Sequence, residues 1–399
     1  MNTKKNIIIS LIGSIFLLII GYVVNNQSIF TQERVIGYSI SQRIGGLLGS
    51  KPNNYEDSVF YVDVSAIKKL YSYQDSAGSL LSFNDWLTDR EILNQFISCC
   101  RNAGGYRYII VDLRFEANSS PEIDSLLFST INNTPNIIIA KNSNRDISYQ
   151  YIDDSKIAFA EYPIADNFSD FTRFPLYVDK DQYIYTKVYE DLSGNKISRF
   201  GPLYFDNNRL CHNSIFIKLA SKEVYDVITT EQFDEIDEDE IPATEINPIS
   251  ELLDSLEISL IPSYIKGRYV VIGNFKDDDK HDTYVGYKQG SELVFNAIMT
   301  LNNHSHLVNW FFACCLFVLY FGILLLVGKN YSIQHLIPFV RHSNSKILRF
   351  IFSIIEYSVI FILVDIVLFI IFGIAYSFIA QTFVIVLYKY FIEYKQLPK

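Results

Sequence analysis

Five polar residues carry the chemistry this chain could perform. Asp63 lies near the end of the apolar run Val59 to Val64 (VFYVDV), and Asp112 near the end of a second, Tyr108 to Leu113 (YIIVDL). Asp279, His281 and Asp282 crowd a polar turn that follows a third run, Tyr269 to Ile272. Open α/β sheets bind ligands in the crevice beyond the carboxyl ends of their strands. Carboxylates gathered there suit a hard cation such as calcium or magnesium, or an amine or hydroxyl of a small ligand. The structural alternative is helix capping and loop solvation. His281 has the chemistry of a metal ligand or a pH switch, although a single loop histidine is more often neither.

Other chemistries lack the necessary spacing. Cys99 and Cys100 are adjacent, Cys211 stands alone, and Cys314 and Cys315 sit in an apolar segment. None of these makes a zinc pattern or a disulfide framework, and neighbouring cysteines bridge only in a strained ring. The run Glu231 to Glu240 (EQFDEIDEDE) lacks the Asp-x-Asp-x-Asp-Gly spacing of a calcium loop and reads as solvated. No Gly-x-Ser-x-Gly, phosphate loop or His-Glu-x-x-His occurs. The residues therefore call for no catalytic group, cofactor or metal.

The elements that must position the five residues follow from hydrophobic periodicity. The three apolar runs, with Asn136 to Ala140 (NIIIA), read as strands buried on both faces. Between them, Asp85 to Cys100 and Pro121 to Ile131 have helical spacing, the second with Ser120 as its cap and Pro121 at its first position. Strand, helix, strand, helix, strand predicts a mostly parallel α/β sheet, in which Asp63 and Asp112 end adjacent strands and Tyr269 to Ile272 closes the sheet. Ile157 to Ala160 and Tyr183 to Val188 read as further strands, Asn213 to Lys222 and Val224 to Ile228 as a helix, and Ser250 to Leu260 as a short helix. After Gly290, Leu293, Val294, Ala297, Ile298 and Leu301 repeat at helical spacing.

Four segments are apolar enough to suggest membrane crossing. The expected layout is a cytoplasmic start at 1–5, a span at 6–24, an extracytoplasmic α/β domain at 25–306, a span at 307–328, a cytoplasmic loop at 329–346, spans at 347–371 and 374–391, and a cytoplasmic tail at 392–399. Asn25-Asn26-Gln27 lacks a cleavage pattern, which favours an uncleaved anchor over a signal peptide. The membrane and cytoplasmic pieces carry nine Lys/Arg and three Asp/Glu, a balance of about +6 that leaves about −16 for 25–306 out of the chain's −10. With four spans the basic residues fall on one side, so both termini are expected in the cytoplasm. An acidic outer domain excludes nucleic acid as a partner. His304 and His306, just before the second span, are expected at the membrane interface.

These residues together resemble the second type of CHASE domain, an extracellular sensory module. FYVDVS (Phe60 to Ser65) looks like that family's first strand. AGGYRYIIVDLRF (Ala103 to Phe115) looks like its glycine-led second strand, and Asp124 sits where the following helix often carries an acid. GRYVVIGNF with Asp279, His281, Asp282, Thr283, Gly286, Asn296 and Ala297 resembles its last segment. DWLTDR (Asp85 to Arg90) keeps the family's tryptophan but not its proline. The resemblance implies a bacterial inner (cytoplasmic) membrane sensor, not an enzyme, with an α/β domain, one span before it and three after. Family members usually carry a cytoplasmic kinase, cyclase or phosphatase module. Here about eight residues follow the last expected span, so the output is expected on a separate protein partner. Small residues such as Gly373, Ser377 and Ala380 allow a homodimer through the spans.

Glu356 and Asp365, within the third span, are the remaining candidates. Charged groups at membrane depth are costly and face protein or water. Nine positions at about 100° each put the two on opposite helix faces. The expectations are contact with a partner subunit, or an internal bond to Ser, Thr, Gln381 or Tyr of neighbouring spans. The functional expectation is thus detection of an unidentified small ligand or envelope state by the outer domain, relayed through Gly267 to Asn296 into the span that follows. The rivals are a non-enzymatic assembly subunit of an envelope complex and a membrane-anchored periplasmic hydrolase.

Overall fold

The structure is a computed structural model of the 399-residue chain. It describes residues 3–26, 55–74, 80–113, 115, 121–141, 151–160, 173–177, 182–217, 219, 246–253, 258–275, 280–283, 286–329, 346–372 and 378–396. In chain order the elements begin with α1 (Thr3–Asn25), β1 (Val59–Asp63), β2 (Lys68–Gln74), β3 (Leu80–Thr88), α2 (Arg90–Ala103), β4 (Tyr108–Val111), α3 (Pro121–Asn132), β5 (Ile137–Lys141) and β6 (Ile157–Phe159). There follow β7 (Arg173–Pro175), α4 (Ile184–Ser193), β8 (Ile197–Phe200), β9 (Leu203–Asp206), β10 (Arg209–Cys211), β11 (Ser214–Phe216), β12 (Ile246–Pro248), α5 (Ile249–Leu252) and α6 (Ile261–Ile265). The last are β13 (Tyr269–Gly273), β14 (Lys280–Thr283), β15 (Gly286–Gln289), α7 (Gly290–Asn302), α8 (Trp310–Gly328), α9 (Lys346–Phe372) and α10 (Ile379–Gln396). Two compact units result. One comprises Pro52–Ile197 and Ile217–Ser305; the other comprises Met1–Lys51, Ser198–Phe216 and His306–Lys399.

The first unit is built on a six-stranded parallel sheet in the order β12-β1-β13-β4-β5-β6. β13 does not close the sheet; it enters between β1 and β4. The reason is composition: all five of its residues are buried, and a strand covered on both faces belongs in the centre. One face packs Phe60, Val62, Ile109, Val111, Val270 and Ile272 against α2, α3, α5 and α6. On the other face Phe295 of α7 meets the rings of Tyr61 and Tyr269 edge-on, at 5.9 and 5.6 Å between centroids. Arg90, the first residue of α2, is 2% exposed and its guanidinium bonds the Asp124 carboxylate on α3. It also lies over the Phe115 ring, 5.3 Å from the centroid.

Several elements differ from the sequence reading. Asp85 to Thr88 belong to β3, which pairs antiparallel with β2 (Leu70↔Trp86, Lys68↔Thr88). The helix starts only at Arg90, where Asp89 caps it by accepting from the N–H groups of Glu91 (2.9 Å) and Ile92 (3.4 Å). Tyr183 to Val188 is not a strand: Ile184 begins α4, which buries Ile184, Tyr185, Val188 and Tyr189 and ends at Gly194 in the left-handed region. Tyrosine-rich composition favours strands, but here the spacing decides. β6 is a parallel edge strand. Ser214–Phe216 is a strand, not a helix. Of the expected short helix at Ser250 to Leu260, α5 covers the start, residues 254–257 lie outside the described residues, and α6 begins only after Leu260. Ile36 to Asn54, Val224 to Ile228 and the acidic run Glu231 to Glu240 lie outside the described residues.

The second unit combines the apolar helices with an antiparallel sheet in the order β10-β9-β8. Among the described residues, three helical stretches are long and apolar enough to cross a membrane: Lys4–Asn25, Trp310–Gly328 and Phe350–Leu368. The apolar part of α10, Ile379–Ile392, is shorter, because Lys389, Glu393 and Lys395 interrupt its second half. α1 and α8 meet closely: a Cβ at Gly13 would stand 2.8 Å from Leu324 Cδ1. α9 and α10 meet through stacked rings of Phe361 and Phe378, 4.8 Å apart.

Candidate functional site

The carboxyl edge of the parallel sheet is the place where ligand-binding residues were expected. Asp63 is the last residue of β1 and pairs in register with Gly273, the last residue of β13. Asp112 directly follows β4, and its N–H donates to Ile272 O at 2.9 Å. The two aspartates therefore do not end adjacent strands. β13 separates them, which puts their backbones about 10 Å apart at ordinary strand spacing.

Each carboxylate has internal work. Asp63 Oδ1 accepts from the N–H groups of Ser65 (2.9 Å) and Phe275 (3.1 Å), and Oδ2 accepts from Ser65 Oγ (2.6 Å). It thereby ties the exit of β1 to the exit of β13. Asp112 Oδ2 accepts from Ser291 Oγ at 2.9 Å. Ser291, in the first turn of α7, is wholly buried. Its approach requires Gly273, since a Cβ there would lie 2.0 Å from Ser291 Oγ and 2.8 Å from Ser291 Cβ. Gln289 completes the joint. Its Nε2 donates to Phe275 O (3.0 Å), and its N–H donates to Glu292 Oε2 (3.1 Å) in a capping box. The helix start is thus pinned to the sheet edge by Asp112, Ser291, Gly273 and Gln289.

His281 lies half-buried in β14, opposite Lys288 in the β14–β15 hairpin. Asp282 stands opposite Tyr287 in the same hairpin, and its side chain lies outside the described residues, as does all of Asp279. Among the described residues no three His, Cys, Asp or Glu side chains gather as metal ligands. The sequence reading missed Ser291 and Gln289. The available signal was the GSE of Gly290 to Glu292, a helix start immediately after the polar turn.

A second cluster lies within the unit that holds the apolar helices. β10 joins the end of α1 to the lead-in of α8. Tyr22 OH donates to Cys211 O (2.7 Å) and accepts from the Tyr204 N–H (3.2 Å). Asn26 Oδ1 accepts from the Asn213 N–H at 2.7 Å. On the other side His212 N–H donates to His306 O (2.7 Å) and Val308 N–H to Leu210 O (3.0 Å). His306 is fully buried, its Nε2 3.1 Å from Oδ2 of the equally buried Asp206. Burial, then the nearby Asp206 charge, pushes the Cys211 thiol up to about 12, so it stays neutral. His304 precedes this collar, exposed, with a positive φ of 55°.

Within the helices, Glu356 pairs with Lys389 of α10, Oε2 to Nζ 3.4 Å, both side chains less than 10% exposed. Lys389 also donates to Ser353 Oγ at 3.2 Å. This internal partner was not among those expected for Glu356. Asp365 is 8% exposed. No family model, curated protein or solved structure matches this chain.

Proposed function

We propose that the chain is a bacterial integral membrane sensor or signal-input protein, in which an extracytoplasmic α/β domain detects a ligand or envelope state and acts through a protein partner. The observation that carries this reading is the joint at the sheet edge. The start of α7 is pinned to β13 and β4 through Ser291, Asp112 and Gly273, and seven residues after its end the chain enters α8. The α8 lead-in is itself tied through β10 to the end of α1. A ligand that favours one position of α7 has a short covalent route to α8 and, through hydrogen bonds, to α1, provided it binds the two positions with different affinity.

The reading includes four spans with both termini in the cytoplasm. Lys389 supports the fourth, because its pairing with Glu356 offsets the charge that otherwise ends the apolar run of α10. Placement in the bacterial inner membrane and kinship with the second type of CHASE domain belong to the same proposal. An enzymatic role is disfavoured, since Ser291 is buried and its partner is a carboxylate rather than a histidine.

The assembly-subunit reading has one observation in its favour: both oxygens of Asp63 are engaged by Ser65 and Phe275. Crosslinking and capture of the intact protein from native membranes separates the two, repeated with Asp365→Leu and Glu356→Leu. A kinase, cyclase, phosphatase or transcription-control partner that is lost in either variant supports the sensor. Capture only of itself or of stable envelope machinery, unchanged in the variants, overturns it.

A further inference from the structure

The lead-in of α8 is held in the collar by side chains as well as by backbone. Residues 306–308 lie beside β10 as a short antiparallel partner, through the bridge Cys211↔Leu307 and the hydrogen bonds of His306 O and Val308 N–H. β10 pairs with β9 along its other edge. The contact of His306 Nε2 with Asp206 Oδ2, at 3.1 Å, therefore reaches past β10 and joins the lead-in to β9. Both of these strands are bound to α1 through Tyr22, at Tyr204 N–H and Cys211 O. The His306–Asp206 pair thus closes a circuit of contacts between the end of α1 and the start of α8.

The surroundings of the pair decide its charge. Both side chains are fully buried, and a buried carboxylate is costly unless paired. Tyr204 and Asp206 of β9 stand opposite Cys211 and Arg209 of β10, so the four share one face of the sheet. Arg199 of β8 lies over the Tyr204 ring, 5.7 Å from its centroid. His212 follows β10, its ring 5.6 Å from that of Tyr22 on α1. α8 carries no charged residue before Lys329. Arg199 and Arg209 are exposed, and the Cys211 thiol, pushed up to about 12, stays neutral. The group that touches the Asp206 carboxylate and titrates in the neutral range is His306.

The sign follows from the chemistry of the contact. Protonated His306 gives Asp206 a charge-assisted hydrogen bond, whereas neutral His306 gives at most an ordinary one. The closed collar therefore holds the His306 proton more tightly than an open one. Its stabilisation is full below the ordinary histidine value of about 6.5 and is lost as pH rises through the value in the closed state. Protonation of Asp206 removes the same attraction only in strong acid.

We propose that the His306–Asp206 pair is a pH-operated latch: a proton on His306 holds the α8 lead-in to β9, and its loss in alkali loosens α8 from α1. The inference rests on the sensor reading, which places the collar outside the membrane, and deepens it by naming the stimulus as external proton concentration.

The test is hydrogen–deuterium exchange of the full chain in lipid nanodiscs from pH 6 to 9, corrected for the intrinsic pH dependence of amide exchange. Protection of the His212 and Val308 amides is expected to fall about tenfold over this range, the difference between a charge-assisted and a neutral hydrogen bond. Amides in the middle of α8 are expected to stay constant. In His306→Gln the fall should shrink below twofold. Exchange at the imidazole C2 carbon of His306 in the unaltered chain gives the protonation midpoint without any variant, and that midpoint should coincide with the one for amide loosening. Protection that changes less than twofold, the same fall in His306→Gln, or midpoints more than one pH unit apart overturns the latch. So does loss of protection throughout α8, which marks general unfolding. These failures leave partner capture standing as the test of the sensor reading, and failed capture with the collar's pH response intact counts only against the sensor.

Discussion

Replacing Gly273 by alanine tests whether the α7 joint is as tight as the geometry requires. The new Cβ would sit 2.0 Å from Ser291 Oγ, where ordinary contact begins at 3.4 Å, so either α7 withdraws by about 1.4 Å or Ser291 turns away. Withdrawal is over-packing, at roughly 1–3 kcal/mol. Turning away forfeits the hydrogen bond to Asp112, about 1.5–3 kcal/mol for a charged acceptor. Rotation alone does not suffice, because Ser291 Cβ remains 2.8 Å away. The two costs together come to about 2.5–6 kcal/mol, and for a unit of this size the melting temperature should fall by roughly 10 °C. Cys100, buried in the core of the same unit, offers the assay: thiol-dye uptake on heating the full chain in detergent. The double variant Gly273→Ala/Ser291→Gly removes both clashing atoms and should melt close to Ser291→Gly alone, a coupling of about 2 kcal/mol. Strictly additive losses, or a Gly273→Ala shift under about 2 °C, would refute the reasoning.

Two further outcomes follow from buried charge and burial. Arg90→Leu leaves the Asp124 carboxylate buried beside α2, so it should cost about 3–5 kcal/mol, while Arg90→Leu/Asp124→Leu should recover most of that; the same thermal assay decides, and a double variant no better than the single would count against the pair. The Cys211 thiol, pushed up to about 12 by burial and the Asp206 charge, favours the folded state fully below the unfolded thiol value near 8.5, and this contribution declines as pH rises from there towards 12. Iodoacetamide modification of Cys211 in native membranes should be at least about a hundred times slower at pH 8.5 than that of an exposed thiol, because almost none of it is thiolate there; a rate close to an exposed thiol's, or one that levels off between pH 8 and 9, would contradict the assigned environment.

Much of the parallel sheet was legible because its strands are continuous apolar runs, and a strand buried on both faces needs no neighbour to identify it. Strand order was not legible: β13 comes late in the chain yet is central, since its five buried residues compete for the middle of the sheet irrespective of sequence position. α4 was misread because tyrosines suit strands by composition, while Ile184, Tyr185, Val188 and Tyr189 bury one helical stripe. The start of α2 was misplaced for a related reason. Leu87 fits a helical period with Phe96 and Ile97, but Asp89 caps the helix and hands the preceding residues to a hairpin.

The candidate site shows a deeper gap between sequence and structure. Asp63 and Asp112 stand at the sheet edge, as their positions at the ends of apolar runs require, yet what they bond was invisible. Their partners Ser291 and Phe275 are 179 and 212 residues away. Separations of 100 and 33 residues likewise hid Asp206 from His306 and Lys389 from Glu356. Each of these polar side chains is costly to bury alone and tolerable when paired, so the fold has to bring the partners together wherever they lie in the chain. The acids that drew attention as ligand donors are therefore also the residues that lock strand to strand, strand to helix and helix to helix. A sensor built this way would register its stimulus by exchanging one internal partner for another. Asp112, bonded through Ser291 to α7, the last helix before α8, is a position at which such an exchange would act on that helix.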